Sequence, residues 1–258
     1  MFQQKIQGRL NWYKSRFQVN NPVVGRVVEL LGNKVRMDGL TYSVACPSIS
    51  TGHKSTLAFG LHEIEERALI RRWLHSDVPV LEFGGGIGVV SCLINRKLRN
   101  QGQHIVVEAN PAMVPVLKRN RDLNSCKFQI VNKAIAYDGE FVDLTLDQEF
   151  VGSSTKSAGS NSVRVAATTI TKLMDEAGLT TVGIVCDIEG VEADIIRREL
   201  PALGKRVSFF MAEMHPAILG AVVVEELLRD IETLGFDLCE RIGNNVFFER
   251  SEDDWNTK

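Results

Sequence analysis

Four runs of the chain are apolar nearly from end to end: VPVLEF at 78–83, HIVVE at 104–108, VGIVCD at 182–187 and VSFFMAE at 207–213. A strand with one wet face alternates apolar and polar residues, whereas a strand buried on both faces does not. Runs like these belong to a parallel sheet covered by helices. The segments between them have helical spacing, at 88–98, 111–123, 170–177, 191–200 and 217–234. A helix over 62–75 comes before, with Glu63, Glu65, Glu66, Arg71 and Arg72 on its outside. Short strands are expected at 127–131, within 134–146 and at 163–167. Strands at 236–241 and 245–249, turned by Gly243-Asn244, close the chain as an antiparallel hairpin. The expected fold is α/β, a doubly wound and mostly parallel sheet with that hairpin at or near its edge.

The 258 residues make one full-sized domain with room for a subdomain. The runs at 23–31 and 34–44 are β-rich, and Gly32-Asn33 and Asp38-Gly39 are turn signals. Residues 1–60 therefore read as a lead segment carrying an antiparallel β ribbon, and 61–258 as the main domain. The first 28 residues hold Lys5, Arg9, Lys14, Arg16 and Arg26 and no acid. They are either a basic arm for a partner or a solvated helix packed on the domain, and the second is favoured. The lead segment is also where contacts between copies in a homo-oligomer are expected.

Lys plus Arg is 30 and Asp plus Glu 32, a balance that argues against a dedicated nucleic-acid binder. Five cysteines with no C-x-x-C pair suit a reducing compartment. No apolar run is long enough for an integral membrane segment, and the opening residues lack a secretory h-region. A cytoplasmic protein is expected.

The sharpest chemical signal follows the first strand: Glu82-Phe83-Gly84-Gly85-Gly86-Ile87-Gly88. Glycines here let a ligand approach bare backbone. The dinucleotide pattern G-x-G-x-x-G fails, because its third position falls on Ser91 or Val89, whereas acid-x-G-x-G-x-G fits throughout. Glu108 ends the next strand, ~20–25 residues on, where such folds keep a ribose-binding acid. Its carboxylate can accept from both ribose hydroxyls. Together the two signals predict a nucleoside ligand.

Two further clusters end strands, where ligands of open α/β sheets bind. In Asp187-Ile188-Glu189-Gly190 the two acids share a face if the strand continues; alternatively Glu189 and Glu192 serve the next helix N-terminus. In Glu213-Met214-His215-Pro216, Glu213 and His215 could act as base and orienter, or His215 is a turn residue. Asp187 and Glu189 alone are too few ligands, so no metal site is expected.

The glycine loop, VVEANP, NKAIA, VCDIEGVEADIIRRELP and AEMHP occur in this order. In that order they resemble the FkbM-type methyltransferases, from about residue 60 onward. The resemblance implies a class I methyltransferase (Rossmann-like) fold with S-adenosylmethionine as cofactor. It also implies O-methylation of a hydroxyl on a sugar, glycan or natural-product acceptor. On this reading Gly84, Gly86 and Gly88 line the methionine and ribose portions, Glu108 and Ala109 hold the ribose, and Ala134 lies near the adenine. Glu82 orients the loop and faces the cofactor's ammonium, directly or through water. Asp187 touches the cofactor and, with Glu189, Glu213 and His215, supplies the catalytic candidates; among the bases, His215 has the best unperturbed pKa.

Glu82 stands where the family usually has Asp, Val185 where it typically has Lys, and Thr171 where an Asp commonly follows T-L. Two alternatives remain at this stage, a nicotinamide-dependent oxidoreductase and a non-catalytic binder on the same fold. The Gly/Ser-rich stretch at 151–162 is either a lid or a plain surface loop.

Overall fold

The computed structural model describes residues 20–145 and 162–251. The chain opens with helix α1 (Pro22–Leu30). A hairpin of β1 (Lys34–Met37) and β2 (Leu40–Ser43) follows, then helices α2 (Thr51–Ala58) and α3 (Ile64–Trp73). The alternating part holds β3 (Val80–Phe83), α4 (Val89–Lys97), β4 (His104–Val107), α5 (Val114–Leu123) and β5 (Gln129–Val131). Next come β6 (Ala134–Ile135), β7 (Phe141–Thr145), β8 (Ser162–Thr168), α6 (Ile170–Glu176) and β9 (Val182–Cys186). Helix α7 (Glu192–Asp194), a π-helical stretch Ile195–Glu199 and α8 (Leu200–Leu203) lead to β10 (Val207–Glu213). The chain closes with α9 (Pro216–Leu219), α10 (Ala221–Thr233), β11 (Phe236–Ile242) and β12 (Asn245–Arg250).

Seven strands form the central sheet in the order β11-β12-β10-β9-β3-β4-β5. The five from β10 to β5 are parallel, while β12 runs antiparallel to β10 and β11 antiparallel to β12. This is the doubly wound sheet with a closing hairpin expected from the sequence. The chain winds outward from β3 through β4 and β5, then returns to the other side of β3 with β9. The switch point therefore lies between β3 and β9, where open α/β sheets bind ligands.

Both faces of the sheet are covered. Leu81, Phe83, Ile184 and Phe210 pack beneath α6 and α10, while Val80, Val185, Phe209 and Phe247 pack beneath α3 and α4. Burying each such side chain is worth ~1.5–3 kcal/mol. The segment 163–167 expected as a strand is one, but it pairs in a separate three-stranded sheet, β6-β8-β7. The helix expected over 217–234 is split, because Gly220 at φ 91° breaks it between α9 and α10.

The lead segment differs in part from its expected ribbon. The run 23–31, read as β-rich, lies in helix Pro22–Leu30 and its cap instead of a strand. Asn21 caps it by accepting from Val23 N and Val24 N, and Pro22 occupies the first turn. Gly25 permits a very close approach to α2: a Cβ there would lie 1.7 Å from Thr51 O. Gly32, at φ 88°, ends this helix instead of turning a hairpin. Asp38-Gly39, both at positive φ, do turn the β1–β2 hairpin. Val28, Val35, Tyr42 and Leu57 share a core with Ile87, Val106 and Leu117 of the main sheet layer. Residues 1–19 of the basic arm and all of the 151–162 stretch except Ser162 lie outside the described residues. Among those described, no helix is long and apolar enough to cross a membrane.

Candidate active site

A cavity of about 750 Å³ opens at the switch point, within the size range of small-molecule sites. Its floor is the glycine loop after β3. Gly84, at φ 93°, donates from N to Val107 O at 3.0 Å, and Asp187 N donates to Phe83 O at 2.9 Å. The ends of β3, β4 and β9 are thus laced together. A Cβ on Gly84 would lie 1.9 Å from Asp187 O, so no side chain fits there. Gly84 and Gly86 line the cavity. Gly88 does not: it starts α4 at φ 85°, and a Cβ there would meet Leu117 Cδ1 at 2.8 Å. Its glycine serves helix packing instead of ligand contact, which corrects the sequence expectation.

Glu108 lines the cavity just past the end of β4. Its Oε2 accepts from Gly86 N at 2.7 Å, and its Oε1 accepts from Asn110 N at 2.7 Å. Burial pushes its pKa up to about 7 against the pull of those backbone donors. Asn132 supports it from behind, donating from Nδ2 to Glu108 O and Ala109 O. Ala109 and Ala134 lie on the same wall, with Met113, Ile135 and Leu144 adding apolar surface that sequence reasoning missed. Leu144 arrives from the small sheet, a long-range contact with no local signature.

Glu82 lies behind the loop and not on the main cavity wall. It is 2 % exposed and absent from the cavity lining. Its carboxylate accepts from Ser91 Oγ at 2.6 Å and pairs with His104 Nε2 at 2.9 Å. Burial raises its pKa, and His104 and Ser91 oppose that rise. The residue braces α4 and β4 beneath the loop and borders a small recess that it shares with Phe83, Gly84 and Asp187 of the cavity lining.

The opposite wall carries Asp187, Glu189, Glu213 and His215. Parallel β9 and β10 end side by side, so the two expected clusters meet. His215 Nε2 lies 3.4 Å from Asp187 Oδ1. Its Nδ1 lies 3.2 Å from Glu192 Oε1, an ion pair not aligned as a hydrogen bond. Burial works against charge on the ring, but Asp187 and Glu192 outweigh it and hold the pKa up at about 11. His215 is therefore an imidazolium at neutral pH, unlike the near-neutral base expected from its unperturbed value. Burial, with Asp187 adding to it, raises Glu213 to about 7.

Glu189 adopts φ 56° in a tight turn. The residue that holds this turn is Glu192, fully buried, accepting from Ile188 N at 3.0 Å and Gly190 N at 2.7 Å. The capping alternative thus applies to Glu192, while Glu189 lines the cavity.

Glu63, Glu65 and Glu66 are not on a solvated face. The first turn of α3 points at the strand ends, and all three line the cavity. Glu66 is 7 % exposed, and burial together with Glu63 and Glu213 raises its pKa well above the ordinary carboxylate range. Asn245 joins them from β12 as the cross-strand partner of Glu213. Asp187, Glu213 and His215 each offer a ligand atom, all within 4.8 Å of one another. The cluster shares only Asp187 with the Asp187–Glu189 pair weighed from the sequence; Glu213 and His215 take the place of Glu189.

No protein-family model and no curated protein matches the chain. Similar solved structures include a ribosomal protein L11 methylase from Lactobacillus delbrueckii subsp. bulgaricus, 11 % identical over 74 % of this chain and 80 % of that one, TM-score 0.43. A precorrin-6y C5,15-methyltransferase from Geobacter metallireducens GS-15 is 15 % identical over 72 % of this chain and 85 % of its own, TM-score 0.43. The TYW2 protein of M. jannaschii, solved in complex with AdoMet, is 16 % identical over 84 % of this chain and 85 % of its own, TM-score 0.43.

Proposed function

We propose that the protein is an S-adenosylmethionine-dependent O-methyltransferase acting on a hydroxyl of a small-molecule, sugar or glycan acceptor. One observation carries this reading. A bare glycine floor and a buried ribose-type carboxylate, Glu108, share one cavity with a wall of proton acceptors. The order of the glycine loop, VVEANP, NKAIA, DIEG and AEMHP supports the finer FkbM-type reading.

The residues fit the cofactor. Glu108 has a lone pair left on each oxygen for the ribose hydroxyls. Ala109, Met113, Ala134, Ile135 and Leu144 offer an apolar slot for a purine. The cofactor would supply a methyl group on a sulfonium, already joined to a good leaving group. What remains for the protein is to align a hydroxyl and accept its proton. Asp187 is the best-placed acceptor: it ends β9 against the glycine loop and is part-exposed to the cavity. Glu189 and Glu213 flank it, and His215 fixes the orientation of its carboxylate. The carboxylates around the cavity disfavour a phosphate-rich acceptor such as nucleic acid.

The test is calorimetry with S-adenosylhomocysteine, followed by a methyl-transfer screen over hydroxyl acceptors. Asp187→Asn should lower turnover far more than cofactor affinity. Full turnover in that variant removes Asp187 from the chemistry, and no cofactor binding by the wild type removes the reading itself.

A further inference from the structure

The wall opposite Glu108 has a geometry that methyl transfer by itself does not call for. One carboxylate oxygen each of Asp187 and Glu213 and a ring nitrogen of His215 converge within 4.8 Å of one another. Ligands sharing one ion at ~2.1–2.2 Å sit at most about 4.4 Å apart, so small side-chain adjustments bring all three into range. They come from two adjacent parallel strand ends, a rigid platform.

Asn245 supplies an independent observation. It pairs directly across from Glu213, so both side chains leave the same face of the sheet. It is 1 % exposed and lines the same cavity. Its Nδ2 turns toward Glu65 Oε2 at 3.5 Å, while its Oδ1 has no hydrogen-bond partner. A buried amide oxygen left unpaired forfeits the hydrogen bonds it made in water. A cation answers both the unpaired oxygen and the gathered carboxylates.

We propose that Asp187, Glu213, His215 and Asn245 Oδ1 form a divalent-cation site. Three oxygens and one imidazole suit a hard six-coordinate ion of the Mg²⁺/Mn²⁺ class, with manganese the better match for the nitrogen. The ion would displace a proton that His215 holds between Asp187 and Glu192 in the ligand-free protein, because only a neutral imidazole has a lone pair to give. Two coordination positions then remain open toward the cavity. On the methyl-transfer reading, these would hold the acceptor hydroxyl and a neighbouring oxygen, and the ion would lower the hydroxyl's pKa. That consequence rests on the proposed function; the ion site does not.

The probe is Mn²⁺ alone, added to the full chain. Electron paramagnetic resonance of free Mn²⁺ should report one equivalent bound below about 1 mM, weakened at least about tenfold in Asp187→Asn and in Glu213→Gln. In the wild-type protein, bound Mn²⁺ should broaden the His215 ring and Asn245 side-chain amide resonances before all others, and Mg²⁺ should reverse it. This second readout stands if either variant fails to fold. Absence of a bound equivalent, or broadening centred elsewhere, overturns the site. Binding of S-adenosylhomocysteine is measured in parallel, so loss of the methyl-transfer reading and loss of the ion site are separate results.

Discussion

Glu108 spends one lone pair of each oxygen on the backbone of Gly86 and Asn110. Its pKa still stands at about 7, because burial outweighs those two donors. An acid whose folded pKa lies above its ordinary 4.5 binds extra protons when folded, so between 4.5 and 7 it costs the ligand-free protein stability as pH rises. Ribose hydroxyls donating to Glu108 favour its ionised form. Affinity for S-adenosylhomocysteine should therefore climb by about tenfold per pH unit below the pKa and level off above it. Glu108→Gln should flatten that slope and weaken binding at high pH, as calorimetry at several pH values would read; an unchanged slope refutes the assignment. Gly84 makes a steric prediction. Gly84→Ala drives a methyl into Asp187 O at a φ that L residues avoid, and should cost about 3 kcal/mol in chemical denaturation. Much of this was legible: the loop, Glu108 and the two strand-end clusters were all named from sequence. The individual duties of Glu82 and Gly88 were not. A motif says that acids and glycines are needed, but which face a side chain takes depends on Ser91, His104 and Leu117, supplied by other elements.

The segment from Glu192 to Leu203 works through two glutamates that hold other elements in place. Glu192 clamps the Ile188–Gly190 turn, and Glu199 gathers four donors: Tyr137 Oη, Ile170 N, Thr171 N and Thr171 Oγ1. Removing Glu192 strands two part-buried backbone N–H groups, and removing Glu199 strands the buried Ile170 N–H and the part-buried Thr171 N–H. Glu192→Ala and Glu199→Ala should each lose ~2–4 kcal/mol of unfolding free energy; a loss below 1 kcal/mol, about the value of one ordinary hydrogen bond, would refute the role. The Thr171 hydroxyl donates to Glu199 at 2.8 Å. Thr171→Asp would set two carboxylates face to face and should lower Tm. The strands and most helices were readable from period and caps. The exceptions share one cause. Val23, Val24, Val27 and Val28 mimic a strand, and only Asn21 and Pro22 betray the helix. The acidic start of α3 looks solvated until its burial against the strand ends is seen, because periodicity reports which face is apolar and not what lies beyond the helix end.

Across the whole molecule, Asn120 on α5 and Asn124 at its C-cap join the lead segment to the main sheet layer. Asn120 accepts from Ser43 N at 2.7 Å and donates to Ser43 O and Ile87 O. Asn124 accepts from Thr41 N at 2.9 Å and donates to Thr41 O. The pair acts as a surrogate neighbouring strand for β2. Asn120→Ala leaves the buried Ser43 groups and Ile87 O unpaired, and should lose ~2–3 kcal/mol. Amide exchange across residues 40–43 should accelerate, and unchanged protection there would refute the coupling. Nothing in the local sequence marked this contact, which spans 77 residues at Asn120 and 83 at Asn124. It has a consequence during synthesis. The hairpin emerges from the ribosome well before residues 120 and 124 exist, so for that interval its outer edge carries open backbone donors and acceptors. Slowing translation between residues 43 and 120 would prolong that interval, and a nascent chain halted there is a natural client for a chaperone that covers unpaired strand edges.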